Sequence, residues 1–189
     1  MANMPYADPA NLPERERATV AGLPPLNIFR MLAHAPAPLG AWLKLGNRIL
    51  TAMEVPADLR EIAILAVARA TGSVYEWTQH VVIGRACGMT EARIEALAAD
   101  RDDDASLGDA GRLAVRAARE SARDHKVSTA TLTALRAAVG DRQAVELLHT
   151  IGFYTYVSIF LQTTGVDVDQ LDPAGWTQMK GSGGGAGED

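Results

Sequence analysis

Apolar residues recur along most of the chain at intervals of three and four positions, which is the spacing of one face of an α-helix. The stripe of Trp42, Leu45 and Ile49 predicts a helix over about residues 39–50. An almost wholly apolar run predicts a buried helix from Pro56 to about Thr71. The β-branched alternation that is typical of strands is nearly absent. The pattern therefore predicts an all-α protein.

Glycines and capping residues divide the rest of the pattern into further helices. We expect a short helix at 27–33, one that follows Ser73 and ends at Gly88, one capped by Thr90, and an amphipathic one over about 109–125. Ser128 and Asp141 are placed to cap two more, and the last reaches about Gln162. The sum is seven or eight helices with short connections, so antiparallel neighbours are expected.

The composition along the chain predicts three segments. Residues 1–25 are punctuated by prolines and are expected to form an extended arm across a neighbouring surface or a partner subunit. Residues 26–175 are expected to form one helical domain. Residues 176–189 are rich in glycine, and we expect a flexible tail there because the segment has no apolar group to bury.

Composition and charge exclude several classes of protein. The chain has 189 residues, 48% of them hydrophobic, which is enough for a core without disulfides. The net charge of −5 leaves no basic patch for nucleic acid. The longest apolar runs are too short or too interrupted to span a bilayer, and the N-terminus lacks the apolar segment of a secretory signal. A lone cysteine, Cys87, is typical of a reducing compartment, so we expect a cytoplasmic protein.

Candidate chemistry lies in the helix predicted after Ser73. Glu76 and His80 are four residues apart, which places both side chains on one face, about one turn from each other. Glu61 lies in the apolar run before them, where a lone buried carboxylate is costly unless it is paired. A tight connection at Gly72 would bring the three side chains together, and such a set can perform acid–base chemistry.

Other interpretations of these residues stay open. A glutamate and a histidine four apart are also common as a surface pair worth a few tenths of a kcal/mol. Three ligands without a fourth make a poor metal site, so we expect neither a metal nor a cofactor. Cys87 lies roughly 16 Å of helix rise beyond Glu76. We expect it to be a small buried thiol outside the set.

The segment 59–89, LREIAILAVARATGSVYEWTQHVVIGRACGM, resembles the carboxymuconolactone decarboxylase family and its alkylhydroperoxidase-D-like (AhpD-like) relatives. The peroxidase branch of that family carries a glutamate, a Cys-x-x-Cys pair and a histidine four residues after the second cysteine. At those positions this chain has Glu61, Ser73, Glu76 and His80. Because both sulfurs are missing, a disulfide-forming peroxidase is not expected. The glutamate at the second cysteine position resembles the decarboxylase branch.

The resemblance implies an AhpD-like helical bundle that assembles into trimers or hexamers, with an active site near a subunit boundary. It implies a cofactor-free lyase or isomerase that acts by acid–base chemistry on a small carbonyl or lactone compound. On this template His80 is the proton donor or shuttle, Glu76 is its orienting or base partner, and Glu61 tunes the histidine. Tyr75, next to Glu76, is a further candidate hydrogen-bond donor.

Two alternatives remain beside this hypothesis. One is a peroxidase-related oxidoreductase that uses Cys87 alone, and the other is a non-catalytic oligomeric protein that binds a small ligand. The resemblance does not transfer a substrate. Arg69 and Arg85 are the nearest candidates in this segment to bind a dicarboxylate.

Overall fold

The computed structural model describes residues 2–169, and within them the chain forms eight α-helices, two short 3-10 helices and no strand. The α-helices are α1 (Glu14–Ala21), α2 (Asn27–Leu32), α3 (Pro36–Thr51), α4 (Ala57–Thr71), α5 (Val74–Ala86), α6 (Glu91–Ala98), α7 (Gly108–Asp124) and α8 (Thr129–Thr164). The 3-10 helices are Pro9–Asn11 and Ala105–Leu107. The prediction of an all-α fold of seven or eight helices is confirmed. The predicted tail at 176–189 lies outside the described residues.

Helix α4 is the centre of the fold. Every residue from Leu59 to Ala68 is buried, because α5, α7 and α8 pack around it. A helix that is apolar all round belongs in a core, and this explains why the run shows no amphipathic stripe. Any charged side chain on α4 must therefore find its partner inside the protein.

Two residues, Gly72 and Ser73, connect α4 to α5. Gly72 ends α4 in the left-handed conformation, with φ 73°, which glycine adopts without steric cost. The Ser73 side chain then accepts a hydrogen bond from the backbone N–H of Glu76 and caps α5. The tight connection expected from the sequence is present, and it places α5 antiparallel beside α4.

Helix α8 consists of two helical segments that meet at Gly140, whose φ of 81° and ψ of 167° are not helical. The sequence predicted two helices here, the second capped by Asp141. By length and composition α8 is apolar enough to cross a membrane, and 44% of its most apolar window is buried inside the fold. Its inner face packs on α4 and α7, as expected for a core helix.

The N-terminal segment differs from the extended arm that was expected. It contains the 3-10 helix Pro9–Asn11 and helix α1, whose first turn carries Glu14 and Glu16, and acidic side chains stabilise a helix N-terminus. The segment also packs on its own chain. The backbone N–H of Asn3 donates to the carbonyl of Thr164, and that of Ala7 donates to the carbonyl of Arg30.

Candidate active site

Glu61 and His80 meet at the interface of α4 and α5. His80 Nδ1 lies 2.7 Å from Glu61 Oε2, and the side chains are 6% and 0% exposed. Gly84, one turn after His80, allows Met89 to pack closely beside it, since a Cβ at that position would lie 2.8 Å from Met89 Sδ. Two of the four predicted site residues, Glu61 and His80, therefore form a short, buried hydrogen bond.

Arg60 is the partner of the other Glu61 oxygen. Its Nε and Nη2 donate to Glu61 Oε1 at 3.1 and 3.0 Å, and the guanidinium is buried. Glu61 thus lies between a guanidinium and an imidazole. Sequence reasoning did not single out Arg60. The signal was a charged residue directly beside Glu61 in an otherwise apolar run, but periodicity could not show that both residues point inward on a helix buried on every side.

Glu76 lies on the opposite side of the His80 ring. Its Oε2 is 3.3 Å from His80 Nε2, at ion-pair distance but without the alignment of a hydrogen bond. The Glu76 side chain is 5% exposed. The structure therefore brings Glu61, Glu76 and His80 together, with the imidazole between two carboxylates, as the spacing predicted.

The surroundings of His80 favour its charged form. Burial by itself lowers the pKa of His80, but the charge and hydrogen bond of Glu61 and the nearby Glu76 carboxylate outweigh it and raise the pKa from 6.5 to about 9. The ring edge also meets Tyr154 of α8, with centroids 4.8 Å apart at 85°. Burial, then the charges of Glu76 and Glu61, raise the pKa of Tyr154. At neutral pH the site thus holds an imidazolium beside a neutral phenol.

Tyr75 does not join this group, which corrects the expectation that it donates a hydrogen bond there. Its hydroxyl donates to Asp169 Oδ2 at 2.7 Å, and Asp169 also accepts from the backbone N–H of Asn27 and, at its carbonyl, from the Gln79 amide. Burial and then this bond to Asp169 raise the pKa of Tyr75. Tyr75 and Gln79 hold the C-terminal end of the described chain against α5.

Cys87 has a cationic neighbour that the local sequence did not reveal. Arg60 Nη2 lies 3.7 Å from Cys87 Sγ, and the cysteine is partly exposed rather than buried. The expectation of an inert buried thiol without a nearby cation is therefore wrong, because the guanidinium comes from α4 and not from α5. A guanidinium at this distance favours the thiolate.

The two arginines considered for binding a dicarboxylate face away from the site. Arg69 Nη2 pairs with Asp100 at 2.6 Å, and Arg85 Nε pairs with Glu91 at 2.7 Å, all with exposed side chains. Among residues 2–169, no group of three or more His, Cys, Asp or Glu side chains has the arrangement of a metal site. What the central group can do is hold a proton on His80 and accept one at Glu76.

The comparison with known families agrees with this geometry. The sequence model of the carboxymuconolactone decarboxylase family matches residues 36–124, which span α3 to α7 and include the whole Glu61, Glu76 and His80 set. This match covers a little under half of the chain, and the chain is similar to the carboxymuconolactone decarboxylase family over that segment. No curated protein matches the sequence significantly.

Solved structures show the fold of this chain. An uncharacterised peroxidase-related protein from Ralstonia eutropha JMP134 with an AhpD core is 21% identical, has a TM-score of 0.75, and the match covers 89% of this chain and 93% of that one. A peroxidase-related protein from Silicibacter sp. TM1040 is 18% identical with a TM-score of 0.72, covering 88% and 90%. An alanine variant of the debrominase Bmp8, bound to 2,3,4-tribromopyrrole, is 14% identical with a TM-score of 0.72, covering 95% and 100%. The predicted AhpD-like fold is confirmed.

Proposed function

We propose that this protein is a cofactor-free lyase or isomerase that moves protons on a small carbonyl or lactone compound. The observation that supports this most strongly is His80 held between two buried carboxylates with its pKa raised to about 9. A purely structural ion pair needs one carboxylate per imidazolium. The second, Glu76, lacks an aligned partner and is placed to accept a proton.

The reaction follows from the positions of the three groups. Glu76 removes the proton on the carbon next to the substrate carbonyl, and the electron pair of that C–H bond passes into the carbonyl to give an enolate. His80 donates the proton on Nε2 to another atom of the substrate, while Glu61 keeps the proton on Nδ1. The 3.3 Å contact then allows the proton to return from Glu76 to His80, so an isomerisation needs no outside proton donor.

A decarboxylating substrate would use the same groups in a shorter sequence. The C–C bond to the carboxylate breaks and carbon dioxide leaves. The electron pair of that bond enters the conjugated carbonyl. His80 then protonates the remaining carbon and recovers a proton from solvent. In both versions Glu61 fixes the orientation of the ring, so the structure favours Glu61 as the orienting partner and Glu76 as the base.

The site is enclosed within one protomer, and this bears on how a substrate enters. The side chains of Glu61, Glu76 and His80 are 0%, 5% and 6% exposed. A substrate reaches Glu76 when a covering element moves. Asp169 is bound by Tyr75 and Gln79, which belong to the same helix as Glu76 and His80. The segment that ends at Asp169 is therefore a candidate for that movement.

We infer that copies of the chain associate through the outer face of α8. A stripe there is exposed and has heptad spacing: Val145, His149, Gly152, Tyr156 and Ile159. A two-fold contact centred on Gly152 is possible because no heavy atom lies within 4 Å of the place that a Cβ at this residue would occupy. Two antiparallel copies of α8 would pair Val145 with Ile159 and Leu148 with Tyr156. Such a two-fold contact suits a hexamer of two trimers. Cytoplasmic location and the lack of nucleic-acid or membrane partners remain predictions.

A single-cysteine oxidoreductase is the second candidate, and one observation favours it. The guanidinium of Arg60 lies close to the partly exposed Cys87 and also binds Glu61, so the thiol is connected to the buried group. A cysteine whose thiolate is stabilised in this way is suited to attack a peroxide or another electrophile.

Two variants separate these candidates in one assay. We expect His80→Gln to lose turnover of the lactones and keto acids that the wild type converts, by at least about a hundredfold, with an unchanged circular dichroism spectrum. Cys87→Ser is expected to retain full activity. The reverse result, with an active His80→Gln and an inactive Cys87→Ser, would establish the thiol chemistry instead. Turnover that both variants retain would exclude both candidates, and no turnover by the wild type would leave a protein that binds small ligands at most.

A further inference from the structure

Four buried side-chain atoms have no hydrogen-bond partner among the described residues: Trp42 Nε1, Glu76 Oε2, Gln79 Oε1 and Ser158 Oγ. Native proteins satisfy nearly all their buried polar atoms, and each exception costs about 1–3 kcal/mol. Two of these atoms, on Glu76 and Gln79, belong to α5, one belongs to α3 and one to α8. The concentration on α5 and α8, next to His80, calls for a ligand that supplies the missing bonds.

The pairing of α5 with α8 places three of these atoms at one level. Two contacts show that the helices run antiparallel. A Cβ at Gly72, just before α5, would lie 3.8 Å from Gln162 Oε1 of α8, and the ring of His80, eight residues after Gly72, contacts the ring of Tyr154, eight residues before Gln162. Because the rise per residue is the same on both helices, the residues midway between these two contacts lie opposite one another.

Those midway residues are Glu76 on α5 and Ser158 on α8. Gln79 follows Glu76 within one turn. Trp42 lies elsewhere, on α3, where its ring is 5.2 Å from that of Phe153. Three of the four atoms without partners, on Glu76, Gln79 and Ser158, thus belong to the pairing of α5 and α8 beside His80.

The donors and acceptors in this group are complementary to a particular ligand. Glu76 and Gln79 offer acceptors, and a ligand hydroxyl group can donate to one of them. Ser158 offers a donor, so it requires an acceptor such as a carbonyl oxygen. A single small molecule that carries both a hydroxyl and a carbonyl group therefore bonds to Ser158 and to one of the two acceptors.

The charges at the site disfavour a ligand with a carboxylate. Arg60 is bound to Glu61, and His80 lies between Glu61 and Glu76, so two cations already balance two anions. A carboxylate placed beside Glu76 would be an unpaired buried charge. The acceptors on Glu76 and Gln79 would repel it further.

We propose that the junction of α5 and α8 binds a neutral hydroxycarbonyl compound, with Ser158 as a substrate-binding residue. This rests on the proposed function and narrows it. The reaction becomes a proton shift within the hydroxycarbonyl compound or, where the hydroxyl is on the β-carbon, loss of water from it. In the second case Glu76 takes the proton on the carbon next to the carbonyl, the electron pair forms the C=C bond as the C–O bond at the β-carbon breaks, and the leaving hydroxide takes the His80 proton to become water.

Three matched probes test the proposal: α-hydroxy-γ-butyrolactone, unsubstituted γ-butyrolactone and γ-butyrolactone-3-carboxylate. Their dissociation constants are measured by NMR titration of the full chain, following the His80 ring resonances. We expect the hydroxylactone to bind roughly tenfold or more tightly than either of the others. Ser158→Ala should weaken the binding of the hydroxylactone and of the unsubstituted lactone alike, because Ser158 donates to the carbonyl that both share.

A second variant and a stability measurement provide the controls. Thr155→Ala also removes a hydroxyl from α8, but that hydroxyl is bound to the Ile151 carbonyl of its own helix, so probe binding should not change. Because Ser158 Oγ has no partner to lose, Ser158→Ala should unfold at the same temperature as the wild type or above it. A lower unfolding temperature would indicate a structural role for the hydroxyl and would overturn the proposal.

The remaining outcomes are also decisive. Equal binding of the three probes, no binding of any, tightest binding of the carboxylate, or hydroxylactone binding that Ser158→Ala leaves intact would each overturn the proposal. Ser158-dependent binding without turnover of any hydroxycarbonyl compound would instead refute the proposed function and leave this binding site standing. Turnover restricted to carboxylated lactones would refute this binding site and leave the proposed function standing.

Discussion

Glu61 and His80, nineteen positions apart in sequence, share a hydrogen bond of 2.7 Å inside the protein, between Oε2 and Nδ1. Both belong to a helical hairpin closed by two residues, so the chain reaches this contact locally. The bond fixes the ring orientation and keeps a proton on Nδ1. It leaves Nε2 to face Glu76, which is the side where a substrate would react.

Stability should fall as the pH rises through the pKa of His80. The folded pKa, about 9, lies above the unfolded value of 6.5, so the stabilisation by the charged ring is complete below pH 6.5 and is lost as the pH passes 9. The difference corresponds to roughly 3 kcal/mol. Urea unfolding of the wild type at pH 6 and pH 9.5 measures it. The unfolding free energy of His80→Gln should depend much less on pH. An equal change in unfolding free energy between the two pH values in both proteins would contradict the raised pKa.

Glu61→Gln should be the most destabilising single change in the site. It keeps the shape of the side chain but removes the anion that Arg60 and His80 share, and breaking a buried ion pair costs about 3–5 kcal/mol. The histidine pKa, followed by NMR, should fall in the same variant. Glu91→Gln removes the partner of Arg85 in an exposed pair and should change the unfolding free energy little. Similar effects in both variants would argue against the buried network.

Much of the fold and the core of the site followed from the sequence, for physical reasons that particular residues show. Gly72 and Ser73 have local roles, a left-handed helix end and a helix cap, so they could be recognised without knowledge of the fold. The shared face of Glu76 and His80 followed from helical spacing, and the burial of Glu61 followed from its place in an apolar run. The identity of the charged partner, Arg60, did not, because α4 is buried all round and periodicity on such a helix carries no direction.

Contacts between distant parts of the chain could not be predicted from the sequence pattern. Tyr75 was placed near the reacting groups because it precedes Glu76, yet its hydroxyl bonds Asp169, far away in sequence. Tyr154 and Ser158 reach the site from α8, and nothing in their own helix distinguishes them from core residues. Cys87 acquired a cationic neighbour in the same way, from another helix.

Tyr75→Phe should weaken the attachment of residues 166–169 to α5 and leave proton transfer intact. The lost hydroxyl bonds Asp169 rather than the buried carboxylates, so the stability cost should be about 1 kcal/mol. Amide hydrogen exchange of residues 166–169 should become faster, and it should do so equally in Asp169→Ala. The chemical step, measured by single-turnover kinetics, should stay within a few-fold of the wild type. A loss as large as that of His80→Gln would return Tyr75 to the catalytic group.

Tyr156→Glu should weaken self-association, because it places a charge in the exposed stripe of α8, opposite Leu148 in the inferred two-fold contact. Sedimentation velocity over a range of protein concentrations measures the effect. Val74→Glu makes a similar change at another exposed apolar residue, outside the stripe, and should leave the assembly unchanged. A monomeric wild type, or equal sedimentation of Tyr156→Glu and the wild type, would contradict the inference.

The cap at the start of α5 has a consequence for how this fold diversifies. Positions 73 and 76 lie in the first turn after the Gly72 corner, and the backbone there is set by the corner and by the helix rather than by the side chain at 76. Glu61 binds Arg60 and His80 Nδ1 without help from either position. Under the proposed function, exchange of the side chains at 73 and 76 would therefore change the group that faces His80 Nε2 while the scaffold stays the same.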